Sequence, residues 1–448
     1  MDPAALALAE RSAPRYTSYP TAPHFSRAIG DAQMREWLAA LDPHASLSLY
    51  FHVPFCREIC AYCGCHTKAT RQEAPLTSYK ETLLREIEMT AQATRARGVV
   101  SIHWGGGTPS ILGPARFAEI AGRVRELFDV THETEHAIEL DPRLLDAEMA
   151  EALARAGITR ASFGVQDLNE HVQEAAGRVQ PFEIVARAVA TLRAVGITAI
   201  NLDLMYGLPL QSVADVERTA AMAASLDPQR LAVFGYAHVP WFKANQKMID
   251  AAALPGAAER LAQAAAVRAA LERAGYEAIG LDHFARPQDP LAVAAREGRM
   301  RRNFQGYTID SAAALLPFGV SSIGRLPQGF VGNATDVAGW RRAVEDDRFP
   351  VTRGLAFSIE DLARADVIER LMCDFTVDFG EIAQEHGFAI DAFDAARVPL
   401  SGLERDGVVE ITERRVTVTE RGRPFVRLAA AAFDAYLEAS AARHSAAV

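Results

Sequence analysis

The chain has 448 residues, with 47 basic and 57 acidic side chains, a formal net charge of −10 and 49% apolar residues. That length suits two or three domains around a large core, and the acidic balance argues against a nucleic-acid partner. No run of eighteen apolar residues occurs, and the opening MDPAALALAERSAPRY lacks the basic region of a signal peptide, so the reading is no membrane span and a reducing cytoplasm.

Residues 12–25, SAPRYTSYPTAPHF, predict an extended arm, because prolines interrupt any helical period. Its Arg15, Tyr16 and Tyr19 are large groups for which a solvated tail has no use. A short amphipathic helix is expected over 31–41. Residues 47–55, LSLYFHVPF, alternate and are rich in aromatic and β-branched residues, which predicts a strand. Directly after it comes CREICAYCGC, Cys56 to Cys65, holding four of the five cysteines.

Thiols crowded in a reducing compartment point to a metal rather than to disulfides. Two readings fit the spacing. Cys60, Cys63, Cys65 and His66 could close one zinc site. Alternatively Cys56, Cys60 and Cys63 bind a 4Fe–4S cluster, leaving one iron without a protein ligand.

From residue 47 onward strand and helix patterns alternate. Strands are expected over 47–54, 99–107, 136–142, 160–167, 199–207 and 230–238, with helices over 78–96, 114–128, 144–157, 181–196 and 213–226 between them. Six βα units imply an α/β fold with a parallel sheet and helices outside it, too few for a closed eight-fold barrel. The strand ends carry the unusual residues: Gly105-Gly106-Gly107-Thr108, Glu139, Gln166, Asp203 with Tyr206, and Tyr236-Ala237-His238, with Arg178 in a following helical region. Singly, each suits a cap or a solvated end. Together they ring one mouth of the sheet, where sites are built.

Beyond, 256–275 reads as a long helix and YEAIGLDHFARP as a strand. Arg296, Arg299, Arg301 and Arg302 read by charge alone as an exposed helix face. FGVSSIG, 318–324, is a Gly-flanked loop that includes Ile323. A boundary falls near 348–354, which divides the chain into an arm and short helix (1–46), a catalytic body with extension (47–345) and a C-terminal domain (346–448). In the last, SIEDLARADVIERLMCDF is a helix holding Cys373 as an ordinary buried thiol. Helix, β-hairpin and helix follow in a winged-helix-like pattern whose many carboxylates favour a lid or scaffold over DNA binding.

The C-x-x-x-C-x-x-C loop after a first strand resembles that of the radical S-adenosylmethionine (SAM) enzymes. With Tyr62, Cys65, RYTSYPTA, HFARP, NFQGYT and FGVSSIG, most of the chain resembles the oxygen-independent coproporphyrinogen III oxidases. The resemblance implies an open, three-quarter (β/α)6 barrel and a 4Fe–4S cluster on Cys56, Cys60 and Cys63. A first SAM would meet Tyr50, Gly106, Glu139 and Ile323. A second would meet Tyr62, Gly107, Thr108, Gln166, Arg178, Asp203 and Ala237. Cys65 is not expected to bind iron; Cys65 and Tyr50 are carried as candidate catalytic groups.

The implied chemistry is reductive cleavage of SAM to a 5′-deoxyadenosyl radical, which abstracts hydrogen from a propionate β-carbon. Loss of carbon dioxide and an electron then leaves a vinyl group, twice per coproporphyrinogen III, giving protoporphyrinogen IX. A low-potential electron donor and a terminal electron acceptor are implied as partners. A substrate with four carboxylates would need arginine donors such as those near residue 300. A monomer is expected. The alternative is a heme chaperone of a sister family with a similar barrel, which generally lacks the fourth cysteine and the RYTSYP arm.

Overall fold

The apolar alternation forms strands where it is strongest. In this computed structural model, which describes residues 3–437, the six expected strands are β1 (Leu47–Val53), β2 (Gly98–Gly106), β3 (Asp129–Leu140), β4 (Arg160–Gln166), β5 (Ala199–Tyr206) and β6 (Arg230–Gly235). They pair in parallel in sequence order. Helices Glu73–Ala93, Gly113–Leu127, Ala147–Arg155, Phe182–Ala194 and Val213–Ser225 connect them. Six of the seven β1 residues are buried, as expected for a strand covered on both faces. Phe51 stacks between Trp104 and Phe318, with ring centroids 4.2 and 4.8 Å away, and centres the main core.

The sheet is larger than the six units. It continues past β6 through the hairpin β7 (Glu277–Ile279) and β8 (His283–Ala285), and past β1 through β9 (Ala314–Phe318), β10 (Ile323–Leu326), β11 (Gly329–Asn333) and β12 (Val351–Ala356). The order is β12-β11-β10-β9-β1-β2-β3-β4-β5-β6-β8-β7; its two ends do not join, so the sheet is open, and Ser26 of the arm bridges Gly354 on the β12 edge. The single strand expected at YEAIGLDHFARP is thus two, folded back at Gly280, whose φ of 58° suits a bare backbone. β9 is a seventh parallel strand, beside β1; its Pro317, which lacks an amide hydrogen, obscured it in the pattern. β12 pairs with β11 although it lies past the boundary expected at 345–346.

A second core gathers helices Ile359–Asp374 and Arg397–Arg405, the hairpin Val409–Thr412 and Arg415–Val418, and Val426–Ala431. The winged pattern is therefore present, with Thr376–Asp378 as its third strand. Cys373 is buried, and burial pushes its thiol up to about 12. The arm belongs to this second core. Leu8, Ala9, Ala13, Tyr16 and Tyr19 pack into it, Tyr16 Oη donates to Asp434 Oδ2 at 3.0 Å, and the Tyr19 and Tyr436 rings meet edge-on at 6.0 Å. The apolar patch before the arm forms a helix, Pro3–Glu10, which the sequence reading did not assign. Residues 1–2 of the expected arm and 438–448 of the expected C-terminal domain lie outside the described residues.

Candidate active site

The cysteine loop leaves the C-terminal end of β1 and lies over the ends of β2 to β6. Three glycines bring the end of β2 against it. A Cβ on Gly105 would sit 2.9 Å from the Glu139 carboxylate, on Gly106 2.8 Å from the His52 imidazole, and on Gly107 2.4 Å from the Phe55 carbonyl oxygen. Gly106 also has φ +107°. The Gly107 and Thr108 amides donate to the carbonyls of Val53 and Phe55, both at 2.8 Å. Glycine is used here because backbone must touch side chain and backbone.

Glu139 accepts from the Gly106 amide at 3.2 Å and contacts His103 Nε2 at 3.1 Å. Burial alone would raise its carboxyl, but these partners hold it below the usual carboxylate range. Tyr50 lies opposite His103 in the β1–β2 register, and its hydroxyl meets His52 Nδ1 at 2.9 Å.

The sulfurs have their own donors. Thr67 and Thr108 hydroxyls approach Cys56 Sγ at 3.2 and 3.5 Å. Arg178 Nη1 approaches Cys60 Sγ at 3.5 Å, while its Nη2 donates to the Gly164 carbonyl at 2.7 Å and pairs with Asp141 at 3.5 Å. A hydrogen bond with Cys65 draws the Cys63 thiol down and raises that of Cys65. Among the described residues no three His, Cys, Asp or Glu groups converge to chelate a single metal ion. The fit of a cluster therefore rests on the donor set. Cys56, Cys60 and Cys63 could hold one, and hydroxyl and guanidinium donors facing sulfur suit thiolates of an anionic cluster.

Further round the mouth, Gln166 takes φ 67° where the β4–β5 register shifts, which turns the chain next to Gly164. Asp203 pairs with Gly164 across that register. It accepts from Ser162 and Asn201, both at 2.8 Å, and burial pushes its carboxyl up to about 6. Tyr62 and Ala237 are tied together by Gln246, whose Nε2 donates to both carbonyls at 2.8 and 3.2 Å. Ile323 opens β10 and pairs in register with Gly332 of β11.

The sequence reading missed the segment that clasps the loop from outside. Asn245 Nδ2 donates to the carbonyls of Cys60, Ala61 and Cys63 at 3.1, 3.2 and 2.9 Å, and Lys243 Nζ to that of Cys65 at 3.0 Å. One signal was available: the chain has only four lysines, and Lys68, Lys243 and Lys247 lie in or beside these two segments. His52 and His103 were also passed over, although their strand register with Tyr50 was implied by the alternation.

The arginines near residue 300 are not one helix face. Arg296 ends the short helix Pro290–Arg296 and pairs with Glu277, Arg299 pairs with Glu297, and Arg301 pairs with Glu369. Arg302 instead faces a cavity of about 750 Å³ that reaches Ala237 and His238 at the strand ends. That volume suits a large organic ligand. No described helix is long and apolar enough to cross a membrane.

Comparison with known proteins agrees over nearly the whole chain. Residues 50–223 match the Radical SAM superfamily and 357–425 the HemN C-terminal domain. The oxygen-independent coproporphyrinogen III oxidase of Bradyrhizobium diazoefficiens is 47% identical over 445 residues, covering 99% of both chains. That of Paracoccus denitrificans is 42% identical, covering 99% of this chain and 98% of its own. The solved structure described as coproporphyrinogen III oxidase (HemN) from Escherichia coli, a radical SAM enzyme, superposes with a TM-score of 0.90. It is 38% identical and covers 94% of this chain and 98% of its own.

Proposed function

Because the chain belongs to the oxygen-independent coproporphyrinogen III oxidase family of radical SAM enzymes, we propose that it converts two propionates of coproporphyrinogen III to vinyl groups. The product is protoporphyrinogen IX, each conversion releasing carbon dioxide. Its cofactors are a 4Fe–4S cluster held by Cys56, Cys60 and Cys63 and two molecules of SAM. When bound, cluster and SAM supply the radical that removes hydrogen from a propionate β-carbon.

The chain's own residues bind, orient and exclude water. The observation that carries the reading is the bed of Gly105, Gly106 and Gly107 pressed between the cysteine loop and the Glu139 carboxylate. There, backbone groups can lie against the methionine part of a first SAM, and a carboxylate held ionised can meet its ammonium. Tyr50 and Ile323 complete that subsite. A second subsite is assigned to Tyr62, Gly107, Thr108, Gln166, Arg178, Asp203 and Ala237. Arg178, fixed between Cys60 and Gly164, provides its cationic group. Cys65, hydrogen-bonded to Cys63, positions the loop without binding iron. An external low-potential donor supplies the electron, and a separate acceptor takes up the one left after decarboxylation. Residues 357–425, with the arm, close the far side of the cavity.

The test is anaerobic reconstitution with iron and sulfide, then reductant, SAM and coproporphyrinogen III. 5′-Deoxyadenosine and protoporphyrinogen IX should appear, and both should vanish in Cys56→Ser, Cys60→Ser and Cys63→Ser. Retained heme without decarboxylation, or bound zinc without iron, would reject the reading.

A further inference from the structure

The three cysteines read as cluster ligands do not meet the same kind of donor. Cys60 Sγ faces the Arg178 guanidinium at 3.5 Å, and Cys63 is hydrogen-bonded to the Cys65 thiol. Cys56 Sγ is met by two hydroxyls. Thr67 Oγ1 donates to it at 3.2 Å and Thr108 Oγ1 at 3.5 Å. Thr67 stands where the cysteine loop returns, and Thr108 follows the glycine run at the end of β2.

Backbone holds both threonines in place. The loop closes on itself where Phe55 and Cys56 pair with Lys68 and Ala69. The Lys68 amide donates to the Pro54 carbonyl and the Thr70 amide to the Cys56 carbonyl, both at 2.9 Å. Thr67 directly precedes this short ladder, so the chain itself fixes it beside Cys56. Gly107 leaves room for its hydroxyl: a Cβ there would stand 2.5 Å from Thr67 Oγ1. Thr108 is buried, and its amide donates to the Phe55 carbonyl at 2.8 Å. A hydroxyl has one proton to donate, and each threonine directs it at the same sulfur.

We propose that Thr67 and Thr108 set the reduction potential of the cluster through their hydrogen bonds to the Cys56 sulfur. The presence of the cluster rests on the function proposed above. One electron from the low-potential donor makes the cluster and its thiolates more negative by one charge, and no proton moves. A hydrogen bond to sulfur strengthens as that charge grows, so it favours the reduced form over the oxidised one and raises the potential. A cluster raised too far does not pass its electron to a sulfonium, and one left too low does not accept it from the donor. Two hydroxyls in a largely buried site place the cluster between these limits. Thr67 acts through Cys56 and is a positioning residue, outside both SAM subsites.

The test is a redox titration, without SAM, of the full-length protein after anaerobic loading with iron and sulfide, read by the EPR signal of the reduced cluster. Thr67→Val replaces the hydroxyl by a methyl group of similar shape. At the solution potential where half of the unaltered clusters are reduced, the reduced-to-oxidised ratio in Thr67→Val should fall by about three- to tenfold. Thr67→Ser should restore it. Thr108→Val should shift the midpoint in the same direction, and the double variant further. A midpoint unchanged in Thr67→Val or in Thr108→Val overturns the proposal. So does an equal displacement in Thr67→Ser and Thr67→Val, because loss of packing alone does not depend on a retained hydroxyl. Should Thr67→Val fail to load, as read by bound iron, Thr67→Ala against Thr67→Ser gives the same contrast. 5′-Deoxyadenosine formed when SAM is then added separates the two claims. A threonine-dependent midpoint without it keeps the tuning and removes the radical chemistry. Its formation with midpoints that neither valine variant moves does the reverse. An unaltered protein that takes up no iron overturns both.

Discussion

The cysteine loop and the lining of the cavity are made in opposite ways. At the cysteine loop, short contiguous segments do the building: one loop, three consecutive glycines and a short clasp meet through backbone carbonyls at 2.8 to 3.2 Å. The cavity lining instead draws Arg15, Arg260, Arg302 and Arg427 from distant parts of the chain. The first arrangement tolerates no added atom but keeps its shape without a ligand. The second encloses about 750 Å³ between elements that only the completed fold brings together. A rigid, backbone-held loop near a roomy cavity is an arrangement in which binding energy at one end can orient a reacting group at the other.

That contrast can be broken in graded ways. The largest effect is expected from Cys60→Ser, which should bring deoxyadenosine formation and visible cluster absorbance to background while leaving porphyrinogen binding intact. Loss of binding as well would show loop and cavity to be one unit. Arg302→Gln should act in mirror image. Coproporphyrinogen turnover should need about tenfold more substrate for half-saturation, with substrate-free deoxyadenosine formation unchanged in a product assay.

Gly107→Ala forces a Cβ to 2.4 Å from the Phe55 oxygen and 2.5 Å from Thr67 Oγ1. It should cost about 1–3 kcal/mol in urea unfolding and weaken SAM binding, without altering preference between porphyrinogens. The smallest effect is set by pH. Asp203, with an ordinary value of 3.8, is raised by burial to about 6, so the folded state binds its proton more tightly than the unfolded chain. Its stabilising contribution is full below about pH 4 and is lost as pH rises through 6. Asp203→Asn should therefore raise the melting temperature by about 3 °C at pH 7.5 and not at pH 4, as scanning calorimetry can read.

What was legible in the sequence follows the same division. The cysteine loop, glycine run and six alternating units are local patterns, and β1 to β6 stand where alternation placed them, with β3 longer at its start. The clasp by Asn245 and Lys243 was hidden because amide-to-carbonyl contacts leave no periodic trace. The cavity lining was hidden because its members are spread from Ala9 to Arg427, and proximity of that kind is set only by the completed fold. Arg296, Arg299 and Arg301 drew notice by clustering in sequence but are spent on Glu277, Glu297 and Glu369.

The shared second core has a consequence for biosynthesis. Tyr16 leaves the ribosome 418 residues ahead of Asp434, the carboxylate that receives its hydroxyl. Until the helix at 426–431 that helps complete their pocket has been made, its ring and that of Tyr19 have no final resting place. A message cut short before that helix would yield a nascent chain whose main sheet can assemble while its earliest aromatic residues stay uncovered, a handle by which quality control can recognise the fragment.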